Sequence, residues 1–292
     1  MRVALLMAAI IGFSAASFPQ VHNSGKPPEA SSAFLGFDRN DYPGDANLKT
    51  LRKTFAYSSY WLNHPPGSKT NSWTGKRKAL QSTGFGFLVL FNGRTDAEIK
   101  NSEIKAGRDA TQLGNSDADA AISAARAEGF PAHTVIFLDQ EQGGRLLPEQ
   151  RAYLHAWVDR IDAAHFSAGV YCSGIAAKES PGASVITAED IRQNAGGRKI
   201  KYWVVNDSCP PSPGCAASRK DLSPEIVPES SGIAFAEVWQ FAQSPRRSHF
   251  AAACGNYDKD QDCYAPGLDP AQRLHLDLDL ATSSDPSDGR TH

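Results

Sequence analysis

The chain has 292 residues, of which 41% are hydrophobic and 21% are charged, and its formal net charge is −2. This is ordinary globular composition, and the length suits one large α/β domain or two small ones. There is no basic excess to attract nucleic acid and no basic helix to bind a membrane surface. Nucleic acid is therefore excluded as a partner, and neutral partners fit this charge at least as well as polyanions.

The N-terminus predicts a secretory signal peptide over residues 1–16. Arg2 provides a short basic start, residues 3–11 are an apolar run, and small residues lead to a cleavage site after Ala16. The run is too short to span a membrane. We therefore expect a secreted or periplasmic monomer with no membrane insertion after cleavage. Residues 17–32 are rich in Ser, Pro and Gly and predict a flexible spacer.

Strands and helices alternate from residue 34 onward. Buried-strand patterns predict eight strands, at residues 34–38, 55–62, 86–91, 134–141, 169–173, 202–207, 237–242 and 274–280. Helices are predicted at residues 46–54, 75–81, 117–128, 148–165 and 188–194. This repetition of βα units indicates an α/β fold, a single TIM-like (β/α)₈ barrel over residues 33–282.

Some of the βα units are expected to be irregular, because the link between the sixth and seventh strands is rich in Pro and Ser and lacks a convincing helix. The Ser- and Asp-rich residues 283–292 predict a disordered tail. An open, doubly wound sheet is the alternative fold. It is disfavoured because residues 38–44, after the first strand, are acidic and unlike a glycine-rich phosphate loop.

The fourth predicted strand ends in two acids, Asp139 and Glu141, after an apolar run. Side chains two apart on a strand project from the same face, so the two Cα atoms would lie roughly 6.6 Å apart. Two acids placed in this way contribute little to a core but are well placed to transfer protons.

The carboxyl ends of barrel strands carry the active site in this fold. Further polar residues at these ends are Asp38, Asn206, Gln240 and Asp277, and either Asp277 or Asp279 is expected to point into the barrel. Aromatic residues lie close by in the sequence, namely Tyr60, Trp61, Tyr171, Trp203 and Trp239. Aromatic rings beside paired carboxylates suit sugar rings, which predicts a carbohydrate polymer as substrate or ligand.

The five cysteines agree with export. Cys209 and Cys215 flank one turn-forming loop, and Cys254 and Cys263 flank another, so we predict two local disulfides. Cys172 lies in a predicted strand with no neighbouring base, and we expect it to be buried and inert.

No metal or cofactor is expected. The acidic residues 256–262 lack the glycine and the closing Glu of a calcium loop. The scarcity of paired histidines disfavours a metal-dependent deacetylase or phosphodiesterase. A serine hydrolase is rejected because residues 171–174 lack the first glycine of a nucleophile elbow.

Several of these motifs, in this order, resemble those of glycoside hydrolase family 25 lysozymes. The motifs are Gly36-Phe37-Asp38, Asp139-Gln140-Glu141, Trp239-Gln240 and Asp277-Leu278-Asp279. The layout of residues 33–282 is more similar still to the glycoside-hydrolase-like domains of the Rv2525c-like type. Asp279 replaces the Asn that closes the lysozyme pattern, and residues 238–242 are less aromatic than their lysozyme counterparts.

The resemblance implies that Glu141 is the general acid and that Asp139 assists the attack of the substrate's acetamido group. Asp38 and Asp277 would line the same pocket. The implied activity is cleavage of an N-acetylated cell-wall glycan such as peptidoglycan. The alternative is a barrel that binds such a glycan without cleaving it.

Overall fold

The computed structural model describes residues 33–208, 220, 222–246, 262–272 and 274–290. The strands are β1 (Phe34–Asp38), β2 (Tyr57–Trp61), β3 (Gly86–Asn92), β4 (Val135–Asp139), β5 (Ser167–Ser173), β6 (Ala176–Ser180), β7 (Ala183–Ile186), β8 (Lys201–Val205), β9 (Val238–Ala242) and β10 (Asp277–Ala281). The α-helices are α1 (Leu48–Leu51), α2 (Arg77–Thr83), α3 (Asp96–Ala106), α4 (Ala110–Ala127), α5 (Pro148–Ala163) and α6 (Thr187–Gln193). Short 3₁₀ turns lie at Asp45–Asn47, Pro228–Ser231 and Pro270–Gln272.

Eight strands close into a barrel in the order β1-β10-β9-β8-β5-β4-β3-β2, and β6 and β7 form a separate hairpin. The predicted TIM-like barrel is thus confirmed, and each of the eight predicted strands overlaps a barrel strand. Neighbouring strands are parallel except at β10, which is antiparallel to both β1 and β9. Antiparallel neighbours need no crossover helix, and the described part of the link from β9 to β10 holds only a short 3₁₀ turn.

The direction of β10 corrects one part of the sequence prediction. Asp277 was placed at the carboxyl end of a strand, but it is the first residue of β10 and pairs with Asp38, the last residue of β1. Asp277 nevertheless lies at the rim where the parallel strands end, because its strand runs the other way.

Two features were missed by the sequence prediction. Helix α3 buries only Ile99 as a large apolar residue, so it has little hydrophobic periodicity, and a capping box between Thr95 and Glu98 defines its start. The β6–β7 hairpin is mostly exposed and shows no apolar alternation.

Helix α4 begins seven residues before its predicted start. It packs on α5, where Gly114 leaves room for the backbone of Tyr153.

The predicted disordered tail is wrong for residues 283–290, which pack across the end of the barrel where β3 and β4 begin. Ser287 is fully buried. Its backbone N–H donates to the carbonyl of Phe87 at 2.9 Å, and its carbonyl accepts from Val135 N at 2.8 Å. Arg77 Nη2 also donates to the carbonyl of Gly289 at 2.7 Å. These bonds satisfy buried backbone groups at the start of two strands.

Several sequence predictions lie outside the described residues, namely the signal peptide at 1–16, the spacer at 17–32, and Cys209, Cys215 and Cys254. The two disulfides therefore stay predictions. Cys172 is buried and unpaired, as expected, and burial raises the pKa of its thiol. Among the helices that are described, none is both long and apolar enough to cross a membrane.

Candidate active site

An acidic cavity of about 60 Å³ opens at the rim where the parallel strands end. It is lined by Asp38, Asn40, Trp61, Leu90, Asp139, Glu141, Tyr171, Trp203, Gln240, Gln243 and Asp277. The structure thus brings together all four predicted catalytic acids and four of the seven predicted substrate-binding residues. No basic side chain is among these lining residues.

Asp139 and Glu141 form an unequal pair at this cavity. Asp139 is the last residue of β4 and is 4% exposed, whereas Glu141 lies beyond the strand and is exposed to solvent. Burial raises the pKa of Asp139 well above its ordinary value, and the negative charges of Glu141 and Asp38 raise it further. The two carboxyl groups share a hydrogen bond, which requires one proton between them. Burial favours the neutral form of Asp139 in this pair.

A hydrogen-bonded chain fixes the side of the cavity formed by β1, β5 and β9. Tyr171 Oη donates to Gln240 Oε1 at 2.9 Å, and Gln240 Nε2 donates to Asp38 Oδ2 at 2.8 Å. Gln243 Nε2 donates to the same Gln240 oxygen at 3.1 Å. Burial raises the pKa of Asp38 to about 6, although the bonds from Gln240 and Asp279 favour its charged form.

The sequence left open whether Asp277 or Asp279 faces the barrel interior. Both do, because residues two apart on a strand share a face. Asp277 lines the cavity and accepts from Ser244 N at 2.6 Å. Asp279 lies one layer deeper, is fully buried, and accepts from Trp203 Nε1 at 3.0 Å. Burial raises the pKa of both acids well above the ordinary value, and the charge of Asp38 adds to this.

Tyr57 belongs to the same interior layer and was missed by the sequence analysis. Its ring fills the space that Gly36 leaves open on β1. Burial raises the pKa of its hydroxyl, and the charges of Asp279 and Asp38 raise it further. A glycine inside a predicted strand often marks such a close approach, so Gly36 was the available signal.

A second cavity, of about 190 Å³, adjoins the first and shares Asp139 and Glu141 with it. Its other lining residues are His64, Pro66, Gly67, Asn92, Gly93, Arg94, Thr95, Glu98 and Gln142. Arg94 is held by two bonds to the Asp117 carboxylate, at 2.6 and 2.7 Å. The sequence analysis missed this cavity because loops that follow β2, β3 and β4 build it, and loops carry no periodic signal.

Three predicted substrate-binding residues lie outside both cavities. Tyr60 is fully buried on the outer side of β2 and donates to Glu128 Oε2 at 2.6 Å. Trp239 donates from Nε1 to the carbonyl of Asn206 at 2.9 Å, and Asn206 Nδ2 donates to the carbonyl of Ser231 at 2.7 Å. Tyr60, Trp239 and Asn206 therefore do not line either cavity, and their role in substrate binding stays a prediction. Neighbouring residues on a strand point to opposite faces. Trp61 and Gln240 face the barrel interior, so the adjacent Tyr60 and Trp239 face outward.

The aromatic residues that do line the acidic cavity have little exposed surface. Trp61 is 4% exposed, Tyr171 is 8% exposed and Trp203 is 1% exposed. Tyr171 and Trp203 pack edge to face with their ring centroids 4.6 Å apart. They therefore build the wall of the cavity and fix the acids, and they offer little surface for stacking on a sugar.

Within the described ranges, no group of three or more His, Cys, Asp or Glu side chains has the arrangement of a metal site. The acids are instead linked to one another and to Gln240, Trp203 and Ser244 through the bonds given above. The arrangement can hold and transfer protons at the end of a closed barrel, which is the kind of site that glycoside hydrolases use.

The family comparison agrees with this class. The model of the family described as "Rv2525c-like, glycoside hydrolase-like domain" matches residues 60–210, just over half of the 292-residue chain. The chain belongs to this family, as the sequence resemblance predicted. A comparison with curated proteins gives no match.

Solved structures are similar to the chain at low sequence identity. An uncharacterized Bacillus stearothermophilus protein has a TM-score of 0.51 and 17% identity, over 85% of this chain and 95% of that one. The Tat-secreted Mycobacterium tuberculosis protein Rv2525c, in complex with HEPES, has a TM-score of 0.47 and 12% identity, over 86% and 95%. A lysozyme from Streptomyces coelicolor has a TM-score of 0.45 and 13% identity, over 88% and 97%.

Proposed function

We propose that the protein is a glycosidase that cleaves an N-acetylated glycan of the cell envelope, such as peptidoglycan, with Glu141 as the general acid. One observation carries the proposal. A buried Asp139, whose pKa burial raises well above its ordinary value, is hydrogen-bonded to a solvent-exposed Glu141 at the junction of two cavities. Burial thus favours a proton on Asp139, beside a carboxyl group that a substrate can reach.

The closeness of the two carboxyl groups favours one mechanism over others. Inverting glycosidases separate their two carboxyl groups by roughly 6.5–9.5 Å and retaining enzymes by roughly 5–5.5 Å. Hydrogen-bonded carboxyl groups lie closer than either, so Asp139 has no room to act on a water molecule or as the nucleophile. The substrate's own acetamido oxygen is then the nucleophile.

In this mechanism, the proton shared with Asp139 passes through Glu141 to the leaving glycosidic oxygen. The bond from the anomeric carbon to that oxygen breaks as the acetamido oxygen attacks the carbon. Asp139, now a carboxylate, accepts a hydrogen bond from the acetamido N–H. Water then opens the cyclic intermediate, and Glu141 accepts its proton. The product keeps its anomeric configuration, because two displacements occur at the same carbon.

The sizes of the cavities indicate where the sugar binds. About 60 Å³ holds roughly two water molecules, which is too little for a pyranose ring. The adjoining cavity of about 190 Å³ offers Asn92, His64 and Gln142 as polar partners. The reacting ring is therefore placed in the larger cavity, with its anomeric carbon toward Asp139 and Glu141.

The test measures the release of reducing ends from purified peptidoglycan. Glu141→Gln should lower the rate by about 10²–10⁴-fold, the range for loss of a general acid. Asp139→Asn should lower it as well, because it removes the carboxylate that follows proton transfer. Glu229→Gln is the matched control, since Glu229 is exposed and lines neither cavity. Equal rates for the wild type and Glu141→Gln would refute the assignment, as would a product of inverted configuration.

A glycan-binding barrel without hydrolytic activity is the second candidate, and the small acidic cavity with its buried aromatic wall favours it. Co-sedimentation with insoluble peptidoglycan distinguishes the two. A protein that sediments with the glycan but releases no reducing ends at any pH between 4 and 8 is a binder. Release that depends on Glu141 identifies the glycosidase.

The proposal includes export and the two local disulfides. The sequence of residues 1–16 supports export, and the loops between Cys209 and Cys215 and between Cys254 and Cys263 support the pairs. N-terminal sequencing of the mature protein should begin after Ala16. Mass spectrometry of unreduced peptides should recover each pair, and intact thiols at these positions in the exported protein would contradict the disulfides.

A further inference from the structure

We propose that the opposite end of the barrel carries a second binding site, for a phosphate group on a ligand of sugar size. A cavity of about 750 Å³ opens there, within the size range of small-molecule sites. It lies where β5, β8 and β9 begin and where α5 and α6 end. The proposal does not depend on the glycosidase activity.

The two sites occupy opposite ends of the same strands. Ser167, the first residue of β5, lines this cavity, whereas Tyr171 on the same strand lines the acidic one. Four residues of strand separate them by roughly 13 Å. A ligand in one cavity is therefore distinct from a ligand in the other, and the tail at residues 283–290 does not line either.

The charges of the two cavities have opposite sign. The cavity at the start of β5, β8 and β9 is lined by four basic residues, Arg192, Arg198, Lys199 and Lys201. The acidic residues that line it are Asp162 and Glu237. Lys201 Nζ is paired with Glu237 at 2.7 Å. Arg198 is held by both oxygens of Asp159, at 2.7 and 2.8 Å. These two pairs fix the wall and leave two cations for a ligand.

The remaining cations are Arg192 and Lys199, and neither forms an ion pair within 4.0 Å with any residue the structure describes. The Arg192 guanidinium lies over the ring of Phe235, 4.3 Å from its centroid, which orients its plane without neutralising its charge. Lys199 influences Asp162 only at longer range, lowering a carboxyl pKa that burial raises. A planar guanidinium and a nearby ammonium are a suitable pair for a phosphate.

Two histidines add an independent observation. His133 and His165 have left-handed backbones, with φ of 68° and 63°, and both line this cavity. His133 N donates to the carbonyl of His165 at 2.7 Å, so the two loops are joined. Glycine adopts this conformation without steric cost, so the backbone alone gives no reason for an imidazole at either position. Side chains held in strained positions are common at ligand sites.

The Arg192 guanidinium and the Lys199 ammonium supply hydrogen-bond donors and positive charge toward an anion, and each imidazole can add one N–H donor. The volume exceeds what a bare phosphate needs and suits a phosphorylated sugar or one unit of a sugar- or glycerol-phosphate polymer. Both sources present the same phosphate chemistry to Arg192 and Lys199.

The test is calorimetric titration of the full chain with glucose 6-phosphate, inorganic phosphate, short poly(glycerol phosphate) and glucose. We expect saturable binding of glucose 6-phosphate, competition by inorganic phosphate, no binding of glucose, and weaker binding at high salt. Tighter binding of the polymer than of glucose 6-phosphate would identify a phosphodiester polymer as the source, and the reverse would identify a free sugar phosphate.

Variants make the test specific. Arg192→Gln with Lys199→Gln should weaken binding at least tenfold. Lys69→Gln with Lys78→Gln removes two exposed charges elsewhere and should leave binding within twofold. His133→Gly with His165→Gly should weaken binding several-fold without lowering the melting temperature, because glycine suits both backbones. Absence of saturable binding, or equal weakening by the two double charge variants, would overturn the proposal. Either result leaves the reducing-end assay at the acidic site unaffected.

Discussion

Gly36 and Tyr57 occupy one space inside the barrel, from the neighbouring strands β1 and β2. A Cβ atom on Gly36 would overlap the ring of Tyr57. Gly36 pairs with Tyr57 on β2 and with Asp279 on β10, and Asp38 lies two residues further along β1. The glycine of the Gly-Phe-Asp motif therefore supports the acidic site indirectly, because it leaves room for the Tyr57 ring in the layer that also contains Asp279.

Gly36→Ala should destabilise the fold by about 1–3 kcal/mol, the usual cost of overpacking a core. Gly143→Ala is the matched control, since its Cβ would lie 3.6 Å from Ser173, an ordinary contact. Urea unfolding monitored by fluorescence measures both. Combining Gly36→Ala with Tyr57→Ala should cost less than the sum of the single changes, and strict additivity would contradict the shared space.

Tyr57→Phe tests the contribution of the Tyr57 hydroxyl to stability. The Tyr57 hydroxyl is buried and has no hydrogen-bond partner among the described residues. A buried polar group without a partner costs about 1–3 kcal/mol, so its removal should raise the free energy of unfolding by about 1 kcal/mol. A loss of stability in Tyr57→Phe would show instead that the hydroxyl is satisfied in solution, through a proton or water shared with Asp279.

The eight barrel strands were predictable because each is a short apolar or alternating run between polar or turn-forming segments. The spacing of Asp139 and Glu141 was equally informative, since a buried strand that ends in two acids has few structural uses. These signals are local, and local patterns are read directly from the sequence.

The inward and outward positions of each strand were not predictable in the same way. Residues on both faces of β2 are buried, because the outer layer covers one face and the barrel interior holds the other. Trp61 and Tyr60 are adjacent and equally apolar, yet only Trp61 reaches the cavity. The antiparallel course of β10 is likewise a property of the closed barrel, and residues 274–280 alone do not encode it.

The ion pair between Arg94 and Asp117 should be the costlier of two pairs on helix α4 to break. Asp117 is 11% exposed and also accepts from Tyr153 Oη at 2.8 Å, whereas Asp119 is 54% exposed and contacts Arg160. Asp117→Ala should cost about 2–4 kcal/mol, because it leaves a buried hydroxyl and a guanidinium without a partner. Asp119→Ala should cost less than about 1 kcal/mol. Thermal unfolding of both variants measures the two costs. Equal costs would contradict the prediction that the more buried pair contributes more to stability.

Ser287 should be essential to the packing of the C-terminal segment. Its Oγ accepts from Val89 N at 2.8 Å in a buried setting. Ser287→Ala would leave that N–H unsatisfied, at a cost of about 1–3 kcal/mol. Ser283→Ala, which removes only a half-buried turn bond to Asp285 N, is the control and should cost about 0.5 kcal/mol. Amide exchange at Val89 should quicken in Ser287→Ala alone, and unchanged exchange would show that the bond is not formed in solution.

The acidic cluster should make the fold more stable at mildly acidic pH than at neutral pH. Burial raises the pKa of Asp38 from 3.8 to about 6. Between these two values, the folded protein keeps a proton that the unfolded chain releases. The free energy of unfolding therefore falls as the pH rises through this window, and the loss is complete above pH 6. For Asp38 alone the loss is about 3 kcal/mol.

Asp38→Asn tests this contribution, because its amide oxygen can still accept from Gln240 but cannot ionise. Urea unfolding between pH 4 and pH 7.5 should show the variant gaining on the wild type by about 3 kcal/mol as the pH rises. The charge of Asp38 also raises the pKa values of Asp139, Asp277 and Asp279, so its removal lowers them and adds to the gain of the variant as the pH rises. Two parallel stability curves would mean that Asp38 ionises at the same pH in the folded and the unfolded protein, which would contradict the predicted effect of its burial.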